Sequence, residues 1–251
     1  MKLNKEKRIG QVLFIVEGSS TEFNYLYKIF CGLLGYSYIA KKRNTPDYYK
    51  KDNDPFSRVA VINTRESNIK DISENPKYLD DVFDVLREQY QFPVERSAIY
   101  YLFDRDPESN TNTELIEEYI KKLANPYDNE DDAQPGQLLL SYPSVESYIV
   151  SNFVDDTSSL SFHLGKEVKT FIGNNTQIQL NKVSDETIIK AAREFADYLM
   201  NEAIDWDVDD FAPASHAVFT RQETNYLQGE GFQLFSMLTL AFLQMGIIEF
   251  E

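Results

Sequence analysis

The chain has one cysteine and two histidines in 251 residues. A lone Cys31, set in an apolar stretch, excludes an internal disulfide and any zinc site built from cysteines, and it fits a reducing compartment. His163 and His216 are too few for a histidine metal cage, and no Ser–His–Asp pattern includes them. The longest apolar run near the end, residues 233–248, is interrupted by Ser236, Thr239, Gln244 and Gly246 and is shorter than the ~20 residues that span a bilayer. A buried helix is expected there. The basic residues 1–8 are followed by neither a long apolar run nor a small-residue cleavage site, so a cytoplasmic protein without a membrane span is expected. Positive charge is also short: Lys and Arg total 25 against 41 Asp and Glu, net −16, which argues against a sequence-independent DNA coat.

What is present is core material. Hydrophobic side chains make up 42% of the chain, enough for one large domain, or one domain with a helical addition. Charge is unevenly spread: residues 1–58 carry eleven Lys/Arg against six Asp/Glu (+5), leaving fourteen against thirty-five (−21) for residues 59–251.

Residues 11–16 (QVLFIV), 59–63 (VAVIN), 97–103 (SAIYYLF) and 137–141 (QLLLS) are short apolar runs of strand length. Helical spacing follows each of them, at residues 21–36, 77–90, 112–123 and 144–153. Continuously apolar strands alternating with helices predict an α/β fold with an open, mainly parallel sheet covered on both faces. Residues 41–58, polar and holding Pro46 and Pro55, read as a basic insertion or loop, and residues 126–136 as an acidic loop. Residues 185–203 and 225–245 read as helices of a mainly helical C-terminal region, 156–251, distinct from a domain over 8–155.

Ligands of open α/β sheets collect where strands end. Glu17 follows the first strand, Asp104 and Asp106 follow the third, and Glu146 lies just past the fourth. Extended backbone would aim Asp104 and Asp106 to the same side, and Pro107 keeps Asp106 out of helical geometry. Carboxylates gathered so repel one another unless a cation compensates, and a hard divalent ion is the usual solution. Gly18 permits close backbone approach, and the helix starting near Ser20 directs free N–H groups at whatever sits there. The Gly-x-x-x-x-Gly-Lys pattern of a P-loop is absent.

Three passages carry a resemblance: Val16-Glu17-Gly18-Ser19-Ser20-Thr21-Glu22 with Asn24-Tyr25, Phe103-Asp104-Arg105-Asp106, and Ser141-Tyr142-Pro143-Ser144-Val145-Glu146. Together they resemble the Toprim domain of topoisomerases, primases and OLD-family nucleases, most closely its RloB/abortive-infection branch in bacterial anti-phage systems. The similarity covers about residues 8–155. It implies a Mg²⁺- or Mn²⁺-dependent nuclease acting on DNA, tRNA or other RNA. Glu17 would be a general acid/base or metal ligand, Asp104 and Asp106 metal ligands, and Glu146 a supporting or second-metal acid. Gly18, Ser19, Ser20, Lys28 and Arg105 would meet the substrate. Members of that family often work beside an ABC-type ATPase encoded nearby, which would make this chain the effector half of a pair; self-association is left open.

Each feature also has a plainer reading. Glu22 completes a capping box with Ser19, Glu146 favours the dipole of its helix's first turn, and Asp104 and Asp106 sit before a turn-like Pro107-Glu108-Ser109-Asn110. The 17 Phe and 16 Tyr would serve base stacking, but Tyr25, Tyr27, Phe30, Tyr100 and Tyr101 fall where core packing explains them. A catalytically silent sensor or assembly module of the same fold, partnering the ATPase, is the alternative.

Overall fold

A computed structural model describes residues 1–18, 20–39, 47–63, 77–89, 93–127 and 136–250. Its centre is a mixed seven-stranded sheet formed by β2 (Gln11–Val16), β3 (Tyr36–Ile39), β4 (Asp47–Lys51), β5 (Asp54–Ile62), β6 (Ser97–Asp104), β7 (Ala124–Asn125) and β8 (Gly136–Ser141). The order is β3-β4-β5-β2-β6-β8-β7, with β5, β2, β6 and β8 parallel and the outer strands antiparallel. β8 is buried along its whole length and β2 and β6 at all but one position each, so both faces of the sheet centre are covered.

The chain passes from β2 outward to β5 and then crosses back to β6 on the other side of β2. That reversal makes the β2/β6 boundary the topological switch point, where neighbouring loops diverge and leave a crevice. α1 (Thr21–Phe30) packs on one face through Phe30, whose ring lies 5.9 Å from Phe14 and 5.4 Å from Tyr36. α2 (Tyr78–Glu88), α3 (Thr113–Lys122) and α4 (Glu146–Val150) follow β5, β6 and β8. On α3, the expected i,i+4 pairs form between Glu117 and Lys121 and between Glu118 and Lys122, each at 2.6 Å.

Three expectations change. Residues 47–58 belong to the antiparallel β4–β5 hairpin rather than to a loop; Lys41, Lys42 and Arg43 lie outside the described residues. The first helix ends at Phe30 instead of near Tyr36, because Gly35 takes a φ of +72° and Tyr36 begins β3. The predicted helix over 225–245 is split: α7 (Ala212–Leu227) ends before Gly229 and Gly231, both at positive φ, and α8 (Leu238–Gln244) restarts the helix.

The remaining C-terminal elements are α5 (Gly165–Asn174), α6 (Asp185–Asn201), β9 (Ser161–Phe162) paired with β10 (Phe232–Gln233), and β1 (Lys2–Leu3) paired with β11 (Ile248–Glu249). Phe242 of α8 lies 6.3 Å from Phe30, and one continuous apolar cluster runs from Val12 to Ile248. The C-terminal helices are thus packed into the same core as the sheet. Among the described residues, no helix is long and apolar enough to cross a membrane.

Candidate metal centre at the switch point

Glu17 and Asp104 stand at the ends of the two parallel strands that flank the switch point. β2 hands its ladder one step further, since Glu17 N donates to Leu102 O at 3.2 Å. The Glu17 carboxylate then turns across the crevice: its Oε2 accepts the backbone N–H of Asp104 at 2.8 Å. Asn63, at the end of β5, donates through Nδ2 to the carbonyls of Glu17 and Gly18, both at 2.6 Å. One amide therefore fixes the bend that aims Glu17.

Glu22 closes the bend from the other side. Its Oε1 accepts Gly18 N at 2.8 Å. A Cβ on Gly18 would lie 2.3 Å from Glu22 Oε2, so glycine is what lets the carboxylate approach. The helix's N-cap is Ser20, whose side chain makes no capping bond, and the bonded N–H is that of Gly18, so the expected capping box between Ser19 and Glu22 is replaced by this closure; Ser19 lies outside the described residues.

Asp104 is held by the third passage. Its Oδ1 accepts Ser141 Oγ at 2.5 Å and Val145 N at 2.8 Å, while its carbonyl accepts Asn110 Nδ2 at 2.6 Å. Burial pushes the Asp104 carboxyl well above the usual range, and the charges of Glu17, Glu22 and Glu146 push it further; the Ser141 hydroxyl pulls it partly back. Glu22, only 4% exposed, is raised by burial and by the Glu146 charge, against its backbone bonds and Lys169. Glu146 accepts Ser144 Oγ at 2.8 Å and lies 3.7 Å from the Lys169 ammonium.

Four acidic side chains from three distant passages thus share one electrostatic neighbourhood: Glu17, Glu22, Asp104 and Glu146. Glu22, for which the sequence suggests only a helix-start role, is thus among the charges that act on Asp104, and Asp106 is not. Asp106 accepts Glu108 N at 3.0 Å through Oδ1 and Gly165 N at 3.2 Å through Oδ2, capping its own turn and the start of α5. Among the described residues no three His, Cys, Asp or Glu side chains stand close enough to enclose one ion, so Glu17, Asp104 and Asp106 are not a ready three-carboxylate cage. Mg²⁺ does not need one, because it keeps several waters and binds through one or two carboxylates plus substrate phosphate.

One expected substrate contact is corrected. Arg105 is 2% exposed and forms a bidentate pair with Glu223 of α7, at 2.6 and 2.7 Å, while Nη1 donates to Asn110 O; its guanidinium is a buried brace between sheet and C-terminal helix. Lys28 lies in the last turn of α1, about 10 Å along the axis from the Thr21 end that faces the bend. His216 pairs with Glu117 at 2.7 Å between α7 and α3, away from the three motif passages in sequence. Tyr25, Phe30, Tyr100 and Tyr101 are buried as expected, but Tyr27 is 48% exposed.

Asn63 and Lys169 stand outside the motif passages, and Ser141 and Asn110, which lie within the quoted passages, carry no expected role of their own. Asn63 and Ser141 do close apolar strands, so the strand-end rule that finds Glu17 and Asp104 reaches them as well. Asn110 and Lys169 carry no such signal. No protein-family model matches the chain, and no curated protein or solved structure matches it.

Proposed function

We propose that the chain is a Toprim-like, Mg²⁺- or Mn²⁺-dependent phosphodiesterase that hydrolyses nucleic acid, working in anti-phage defence beside an ABC-type ATPase. The carrying observation is the coupling of Glu17 to Asp104 across the switch point, with Asp104 held among carboxylates whose mutual repulsion a divalent cation would relieve. Glu17 and Asp104 would hold the ion, with Glu22 and Glu146 supporting it. Once bound, the ion would offset the charge of the scissile phosphate and lower the pKa of an attacking water. Ser141 and Val145 N orient Asp104, and Asn63 and Glu22 orient the Glu17 bend, so the ligand geometry is set before substrate arrives. Glu17 would also be the group to move a proton.

The test is cleavage of DNA and tRNA by the full chain, alone and with its ATPase, in Mg²⁺ or Mn²⁺. Glu17→Gln and Asp104→Asn are expected to lower the rate at least about 100-fold with assembly intact. Unchanged rates would leave the silent-module reading in its place.

A further inference from the structure

The sheet has a second feature at its β3–β4–β5 edge. Lys50 sits directly opposite Arg58 across the β4–β5 ladder, and opposite Ser37 across β3–β4. Directly opposed side chains on one face of an antiparallel pair come within about 5 Å, and like charges so placed destabilise the sheet. Among the described residues neither cation forms an ion pair: Arg58 Nε donates to Pro55 O, and the nearby Asp52 accepts the hydroxyl of Ser37, the residue opposite Lys50. In a chain of net charge −16, two cations held side by side without ion-pair partners among the described residues make this face locally attractive to a polyanion.

Apolar side chains surround them. Alternation along the strands puts Tyr48 and Ile39, which face one another across β3–β4, on the side of the sheet that carries Lys50 and Arg58. Phe56, two residues before Arg58 at the irregular start of β5, is 76% exposed, and Ile39 is 46% exposed. Burial raises the Tyr48 hydroxyl and the Arg58 charge lowers it, which places the guanidinium close to the phenol.

We propose that this face docks a single nucleic-acid strand, with phosphates on Lys50 and Arg58 and bases stacked on Tyr48 and Phe56. Alternating cations and rings is the pattern that binds single strands without reading sequence, and the charge selects a polyanion over a second copy of the same basic edge. β4 lies two strands from β2, and Tyr48 is level with Leu13, four residues before Glu17. Strand spacing and rise then separate Tyr48 from Glu17 by about 16 Å in the sheet plane. That distance equals a few nucleotides of extended strand, which would have to pass around the strand ends because Ala60, Leu13 and Ile15 between them are buried. This inference deepens the nuclease reading and rests on it for the identity of the polymer.

The experiment measures binding of roughly 12-nucleotide DNA and RNA strands of one sequence to the full chain in EDTA, over a range of salt. The Lys50→Gln/Arg58→Gln double variant is expected to bind at least about tenfold more weakly and to flatten the log K against log salt slope by about 1.4. Tyr48→Leu should weaken binding about tenfold while Tyr48→Phe retains it. Melting of the double variant should match or exceed that of the unaltered protein, since a repulsive pair is removed. Variants that bind like the parent, absence of binding to either strand, or equal displacement by polyglutamate would overturn the proposal. Variant-sensitive binding with no cleavage in Mn²⁺ would sink the nuclease reading and leave the docking face standing; cleavage with variant-insensitive binding would do the reverse.

Discussion

The Glu17 carboxylate accepts the backbone N–H of Asp104 at 2.8 Å, joining two residues 87 positions apart at the ends of adjacent parallel strands. Because the bond uses the Asp104 main chain, it leaves the Asp104 carboxylate to Ser141 and Val145 and lays the two acids side by side. Two carboxylates in this arrangement raise each other's cost of ionisation, and a cation between them lowers it.

Divalent metal should therefore stabilise the fold. At a concentration about 100 times its Kd, Mg²⁺ binding to the native state alone contributes about 2.7 kcal/mol, readable as a higher melting temperature. Asp104→Asn and Glu17→Gln should each remove most of that shift, and Lys28→Ala should leave it intact. A parent protein whose melting ignores both Mg²⁺ and Mn²⁺ would remove the metal from the mechanism.

Proton linkage offers a second reading of the same group. The folded-state pKa of Asp104 is raised, so the native chain holds this proton at pH values where the unfolded chain has lost it. Stability from that proton is fully present below the ordinary carboxylate pKa and is lost as pH rises through the raised value. In EDTA, urea unfolding should show the parent losing stability relative to Asp104→Asn as pH rises from about 4 toward 8. Saturating Mg²⁺ should shrink the difference by favouring the ionised form. Parallel profiles for the two proteins in EDTA would contradict the assigned direction.

Gly18 and Glu22 should behave as a unit. A methyl on Gly18 meets the Glu22 carboxylate, the far end of a flexible side chain, so Gly18→Ala should displace Glu22 at a cost of only about 1 kcal/mol, the net worth of the hydrogen bond lost. The proposed nuclease activity should fall much further than stability. Glu22→Ala combined with Gly18→Ala should be little worse than either alone, a coupling that a double-mutant cycle in denaturant would read directly. Additive losses would mean the two residues act separately.

These contacts also explain which parts of the molecule were legible in the sequence. The four parallel strands announce themselves because burial on both faces demands unbroken apolar runs, and Glu17 and Asp104 follow from where those runs stop. The hairpin did not, because Tyr48, Lys50 and Lys51 read as polar; the Lys51 ammonium is in fact buried on the carbonyls of Lys5 and Lys7. α7 escaped notice since its apolar side chains form no clear stripe; it is held by Arg105–Glu223 and by Gln222, which bonds Tyr198 and Gln233. Asn63 to Glu17 spans 46 residues, and no local pattern encodes such a contact.

Arg105 separates a structural brace from a substrate contact. Its side chain is 3% exposed and its partner Glu223 13%, so removing either leaves a charge in low dielectric. Arg105→Met or Glu223→Gln alone should cost about 3–5 kcal/mol, whereas the joint Arg105→Met/Glu223→Leu variant should recover much of it because both charges leave together. Denaturant midpoints measure this without reference to activity. If the joint variant regains stability and still cleaves with an unchanged KM, Arg105 has no part in holding substrate; a KM rise at full stability would return it to the cleft.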